Sequence, residues 1–170
     1  VCLAVAMLTV LMGTVYPLLI DGLGLGKLSV GAPYFNAVFV PLMIPLLVLM
    51  GLGIHLRWKH DSVKRLSTQL GPQALLSLGL PILLVLVLGK SLNIQVLLGL
   101  ILAFWVILST LTVLFMRVKQ GRGVGQAFSG MLLAHLGVAV SVIGIAVSSG
   151  YGQQDDVKMS PGTSTMFAGY

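Results

Sequence analysis

Five apolar runs, each long enough to cross a lipid bilayer as a helix, make up most of this 170-residue chain. They cover approximately residues 1–20, 34–56, 72–89, 94–116 and 127–150. A hydrocarbon core of about 30 Å takes ~20 helical residues, and none of the runs alternates with the period of a barrel strand. Because helices satisfy their own backbone groups in lipid, the sequence predicts an all-α integral membrane protein, a bundle of about five transmembrane helices.

The composition agrees with a membrane location. Hydrophobic residues make up 57% of the chain and charged residues 8%, which leaves too few polar side chains to cover a soluble domain. The net charge of +6 could indicate a nucleic-acid partner, but the basic residues lie in short loops between apolar runs. We interpret them as topology signals, and we expect the partner surface to be lipid, with no nucleic acid.

Loop charge predicts the orientation. Seven basic residues follow the second and fourth runs and three lie on the opposite side, so the positive-inside rule places loops 57–71 and 117–126 in the cytoplasm. Residues 151–170 would then be periplasmic, in a bacterial inner membrane. The chain begins inside an apolar run and is expected to be an internal piece of a longer protein: a transmembrane bundle at 1–150 and the start of a truncated periplasmic domain at 151–170. The seven residues are Arg57, Lys59, Lys64, Arg65, Arg117, Lys119 and Arg122.

His135 is the only His, Asp, Glu, Lys or Arg deep inside any of the five runs. A polar group at that depth costs free energy unless a hydrogen-bond partner or a ligand binds it, so we treat His135 as a candidate functional residue. One interpretation is a neutral imidazole hydrogen-bonded to a neighbouring helix, for example to Ser109, Thr110 or Thr112. The other is a metal or haem ligand, because a neutral imidazole is the usual axial ligand of haem iron. The residues alone leave both open.

The other candidate residues favour structural roles. His55 and His60 would lie about 140° apart on a helix, so they do not form a chelating pair, and we expect both to be solvated loop residues. Trp105 needs a partner for its indole N–H, for which packing is the default and a cofactor contact the alternative. Cys2, the single cysteine, excludes a disulfide framework.

The fifth run carries small residues at spacings of three and four, which predicts one narrow stripe on a helix that another helix could approach closely. His135 would point about 140° away from this stripe, among apolar side chains. The stripe consists of Gly130, Ala134, Gly137, Ser141, Gly144 and Ser148.

Two function classes follow from the residues. A transporter would normally carry carboxylates or lysines within its spanning helices, whereas all four Asp residues are expected in loops and Glu is absent. A membrane scaffold that binds a cofactor through one histidine is favoured, and a transporter or scaffold subunit with a structural intramembrane histidine is the alternative.

Two stretches closely resemble the CcmF family, the haem lyase subunits of bacterial cytochrome c maturation. They are GKLSVGAPYFNAVFVP (residues 26–41) and GMLLAHLGVAVSVIGIA (residues 130–146), the latter continued by YGQQDDVK (residues 151–158). The resemblance covers essentially the whole chain and places it at the later membrane helices of the family and the start of its C-terminal periplasmic domain.

The resemblance implies a function in cytochrome c biogenesis. Family members attach haem to apocytochrome c at the periplasmic face, with a haem-loaded chaperone subunit and an apocytochrome-presenting subunit as partners. They also hold a haem b between two intramembrane histidines, and His135 matches the second of these as an axial ligand. The implied role of haem b is to keep the substrate haem iron ferrous. The attachment site and the first histidine would precede Val1, so this piece alone is expected to be inactive, though part of a haem lyase complex.

Overall fold

The computed structural model describes residues 1–27, 29–57 and 61–152. Within them the chain forms five helices and no strand, and each helix is long and apolar enough to cross a membrane. The predicted all-α membrane bundle is confirmed. The helices are α1 (Cys2–Gly22), α2 (Ala32–Gly53), α3 (Val63–Val87), α4 (Ile94–Lys119) and α5 (Gln126–Tyr151).

Helix α3 begins nine residues before the predicted start at residue 72. The hydroxyl of Ser62 accepts a hydrogen bond from the backbone N–H of Arg65 at 3.2 Å and so caps the helix N-terminus. The predicted loop 57–71 is therefore wrong at its C-terminal end, because Lys64 and Arg65 lie in the first turn of α3. The apolar run shows only which part of α3 can lie in lipid. The helix itself starts earlier, at the Ser62 cap, in a polar segment outside that run.

Short turns join α3 to α4 and α4 to α5. Gly89 (φ 61) and Gly121 (φ 67) follow the helix ends in the left-handed conformation that glycine adopts without strain. The residue after each glycine donates back to the preceding helix, Lys90 to the Val85 carbonyl and Arg122 to the Arg117 carbonyl, both at 3.1 Å. These bonds satisfy carbonyls that a helix end would otherwise leave open.

Helix α4 is the centre of the bundle. It packs against α2, α3 and α5, whereas α1 packs against α2. The largest buried cluster joins Leu47 of α2 to Ala103 and Val106 of α4 and to Ala139 of α5. The outward faces are apolar, as at Leu75 (73% exposed) and Leu133 (71% exposed). Such faces suit a hydrocarbon environment.

Polar contacts also join α4 to its neighbours. Ser109 of α4 donates to the side-chain oxygen of Gln73 of α3 at 3.4 Å, and both residues are buried. The indole N–H of Trp105 donates to the Val48 carbonyl of α2 at 3.2 Å. A Cβ at Gly51 would collide with the indole ring, so glycine is needed there for Trp105 to reach the α2 backbone. The packing role expected for Trp105 is confirmed.

The structure groups the loops at two ends of the bundle. At one end Arg65 donates to the His55 carbonyl at 3.0 Å and Gln69 contacts Met116. At the other end the Tyr151 hydroxyl donates to the Ser91 carbonyl at 2.8 Å. Successive loops therefore lie at opposite ends of the bundle, as the predicted topology requires. Which side of the membrane each end faces stays a prediction.

The four Asp residues do not all lie in loops as expected. Asp21 belongs to the last turn of α1, where it is exposed, while Asp61 lies in the loop before α3. The predicted periplasmic tail from residue 153 onward and the loop residues Lys59 and His60 lie outside the described residues.

Candidate functional site

His135 lies inside α5, with Met131 one turn before it and Ala139 one turn after it. Its Nδ1 atom is 2.8 Å from the carbonyl oxygen of Met131. A carbonyl oxygen can only accept a hydrogen bond, so Nδ1 carries the ring proton and donates it. The other ring nitrogen, Nε2, consequently keeps its lone pair.

This tautomer leaves Nε2 as the nitrogen that could bind a metal or haem iron. A ligating imidazole typically donates its second ring N–H to a carbonyl or carboxylate, which fixes the ring and raises the basicity of the ligating nitrogen. In α5 the helix backbone itself supplies that acceptor. His135 is therefore prepared to bind through Nε2.

The hydroxyl cluster on α4 does not hold His135. Ser109 donates to Gln73, and two threonines donate to carbonyls of their own helix: Thr110 to Val106 at 2.7 Å and Thr112 to Leu108 at 2.8 Å. The hydrogen-bonding interpretation of His135 is therefore wrong about its partner, because threonine hydroxyls in a helix find an acceptor one turn back.

The helix register nevertheless places His135 at the level of that cluster. Helices α4 and α5 run antiparallel, with Gly99 against Ala146 and Val96 against Gly150, and the same register continues to Thr110 opposite His135. This is near the middle of both helices. The imidazole thus lies deep within the apolar zone.

The two faces of α5 carry the residue types that we predicted, but they do not pack as we predicted. The face that carries His135 is partly or fully buried toward α4, including Ala139 (0% exposed). All six residues of the small-residue stripe are exposed, and a Cβ at any of its three glycines would meet nothing within 4 Å. The expectation that a helix packs on this stripe is therefore not met within the described residues. Close approach occurs instead through Gly99 and Gly150.

No group of three or more His, Cys, Asp or Glu that could hold a metal ion occurs in the part of the chain that the structure describes. Haem needs no such cluster from the protein, because the porphyrin itself supplies most of the donors to the iron.

His55 is not the solvated loop residue that we expected. It is 6% exposed, and its Nδ1 lies 3.1 Å from the side-chain nitrogen of Gln69. Burial lowers the pKa of His55, Arg65 lowers it further, and the nearby backbone carbonyl of Ser109 opposes part of the effect. The prediction failed because the burying groups come from α3 and α4 rather than from the adjacent sequence.

The buried polar residues of α3 were also missed, although the sequence carried a signal for them. Gln69, Gln73 and Ser77 recur at spacings of four, which places them on one helix face. Gln73 and Ser77 are buried there against α4, and Gln69 is half-buried. A polar row at helical spacing within an apolar segment predicts an interhelical contact.

Fold and site together define a class: a helical protein whose five described helices are each long and apolar enough to cross a membrane, with His135 near the middle of the fifth. The chain is 39% identical to the cytochrome c-type biogenesis protein CcmF of Pseudomonas fluorescens, over 99% of this chain and 26% of that protein. It is 37% identical to CcmF of Escherichia coli K12 (96% and 25%) and 33% identical to the cytochrome c-type biogenesis protein CycK of Rhizobium meliloti (94% and 25%).

The chain belongs to the CcmF family. It spans about a quarter of the length of the curated relatives it matches. No family model matches the chain, and no solved structure matches it.

Proposed function

We propose that this chain is part of a cytochrome c biogenesis protein of the inner membrane and that His135 is an axial ligand of a haem b held among its helices. The observation that carries the proposal is the 2.8 Å contact between Nδ1 and the Met131 carbonyl. It leaves Nε2 as a lone-pair donor on an apolar helix face. The family membership supports haem as the group bound.

The residues around the site fit this role. The half-buried side chains beside His135 on α5 are apolar, Val138 and Val142 among them, and an apolar surround suits a porphyrin plane and controls the potential of its iron. A bound haem b would supply one-electron redox chemistry. The protein's share is to ligate, orient and bury it.

The proposal extends to the system in which the full-length protein acts. Its substrates would be haem and apocytochrome c, and its partners a haem-loaded chaperone subunit and an apocytochrome-presenting subunit. The support for these partners is the family resemblance. A transporter is disfavoured because the described parts of α1 to α5 hold no carboxylate except Asp21 and no lysine away from a helix end.

The test is His135→Ala in the full-length protein that contains this chain. We expect loss of the haem b absorbance and of holocytochrome c formation at an unchanged membrane level. Added imidazole should restore the absorbance, because it fills the vacated axial position.

Ser141→Ala is the matched control. Ser141 also lies in α5 and also bonds a carbonyl one turn back, that of Gly137 at 2.9 Å, but it faces the opposite side. It should leave the haem spectrum unchanged. A His135→Ala protein with the full haem b spectrum would reduce His135 to a packing residue.

A further inference from the structure

A second polar site lies at the basic end of the bundle, where the loop after α2 meets α3 and the end of α4. It is a cavity of ≈ 170 Å³. Five polar side chains line it, together with three apolar ones, and the described residues that line it include no carboxylate. The polar residues are His55, Gln69, Arg117, Gln120 and Arg122.

The hydrogen bonds of Gln69 fix the tautomer of His55. Arg65 donates to the Gln69 side-chain oxygen at 2.9 Å, so the atom that faces His55 is the amide nitrogen. An amide nitrogen can only donate, hence Nδ1 of His55 accepts and Nε2 carries the proton. Among the described residues, that buried Nε2–H makes no hydrogen bond of ordinary geometry, although the backbone carbonyl of Ser109 lies near the ring. A buried donor whose hydrogen bonding is incomplete can still donate to a ligand.

The charge around the cavity is positive. The Nε–H of Arg117 donates to the Gly123 carbonyl at 3.0 Å, and its guanidinium lies 4.4 Å from the centre of the Phe128 ring. These contacts hold the group in place and leave its two terminal nitrogens as donors. Arg122 adds a second guanidinium. Planar guanidinium groups bind phosphate oxygens with two parallel hydrogen bonds.

A larger groove at the start of α3 is a weaker candidate. It measures ≈ 470 Å³ and contains Arg65, but Asp61 already pairs with that guanidinium through a 2.7 Å hydrogen bond to Nε. The charge available to a ligand is correspondingly smaller. The cavity at His55 instead has two guanidinium groups and no carboxylate among its described lining residues.

The position of the cavity identifies the source of the anion. Phe115 and Val118, both within two residues of Arg117, are 68% and 58% exposed, so lipid-facing apolar side chains lie close to the basic ones. Basic pockets at the ends of membrane helices bind anionic lipid head groups. The geometry points to a binding site for the phosphate of an anionic phospholipid, with Arg117 and Arg122 on the phosphate oxygens and the Nε2–H of His55 as the inner donor.

The experiment measures lipid retention by native mass spectrometry on the full-length protein, titrated with phosphatidylglycerol and separately with phosphatidylcholine. We expect the wild type to prefer phosphatidylglycerol. Arg122→Gln should weaken that binding about tenfold, the effect of one charge-assisted contact. Arg122 is exposed, so its replacement leaves folding intact. His55→Phe, which keeps an aromatic ring but removes the donor, should weaken it as well.

Lys119→Gln is the matched control, because it removes one charge from the same end of α4 at an exposed position outside the cavity. Equal losses in Arg122→Gln and Lys119→Gln would overturn the site in favour of general surface attraction. Displacement of the lipid by millimolar inorganic phosphate would overturn the lipid assignment in favour of a soluble phosphate. The haem b spectrum should be unchanged in all three variants, which separates this test from that of His135.

Discussion

Gly99 tests whether α4 and α5 associate through the contacts described above. Its α-carbon faces Ala146, and a Cβ added at Gly99 would lie 2.6 Å from the Ala146 Cβ, whereas ordinary contact begins at 3.4 Å. The two helices would have to separate by about 0.8 Å to admit the first carbon of a larger side chain. A gap of 0.5–1 Å already forfeits roughly a quarter to a half of each contact's dispersion energy.

We therefore expect Gly99→Leu to destabilise the α4–α5 pair by about 1–3 kcal/mol, the usual cost of overpacking. The control is Gly79→Leu in α3, where an added Cβ meets nothing within 4 Å. Both changes raise helix propensity equally, so they differ only in packing. The assay is the unfolding midpoint of the full-length protein in a series of mixed micelles of increasing denaturing strength.

The haem b content of the same samples gives a second measurement, because His135 lies on the α5 face that packs on α4. Gly99→Leu should lower both the midpoint and the haem content, and Gly79→Leu should change neither. Equal midpoints for the two variants would refute the α4–α5 register on which the depth of His135 depends.

Two further predictions concern topology and pH. Reporter fusions at Gly123 and at Ser160 should report opposite membrane sides, cytoplasmic and periplasmic, because the basic loops are expected inside; the same side for both would contradict the orientation. Burial lowers the pKa of His55 below its ordinary 6.5, so the unfolded state binds the proton more readily and stability should fall as pH drops below about 6.5. A His55→Gln protein should show a smaller fall between pH 7.5 and 5.5 by thermal unfolding, and an identical fall would contradict the burial of His55.

The sequence was sufficient for the helices but not for their partners. Apolar length predicted all five spans, because a helix in lipid must satisfy its own backbone. The start of α3 was missed since Ser62 caps a polar turn that apolar content does not mark. The burial of His55 depends on Gln69 and Arg65, and no local pattern predicts that the loop after α2 meets the start of α3 and the end of α4 there.

The candidate site, like the fold, was predictable from the sequence only in part. His135 could be singled out because it is the only His, Asp, Glu, Lys or Arg at that depth, and its role as a haem ligand stays a prediction from the family resemblance. Its tautomer was not predictable, since it depends on the ring torsion that brings Nδ1 to the Met131 carbonyl. The small-residue stripe predicted a close helix contact, but the structure places such contacts at Gly99 and Gly150. The register between α4 and α5 determines which glycines face the other helix, and the sequence of one helix does not show that register.

The acceptor that holds the His135 ring is a main-chain atom, and it is the same carbonyl that the amide of residue 135 uses in the α-helix. No side-chain substitution can delete it, because every residue at position 131 except one that breaks the helix supplies the same oxygen. In sites where a carboxylate orients the histidine, one point mutation removes that control. Here the helix itself sets the orientation of the ring, so the surrounding side chains can change during evolution without moving it. If His135 binds haem as proposed, such changes would alter the redox potential but not the direction of Nε2.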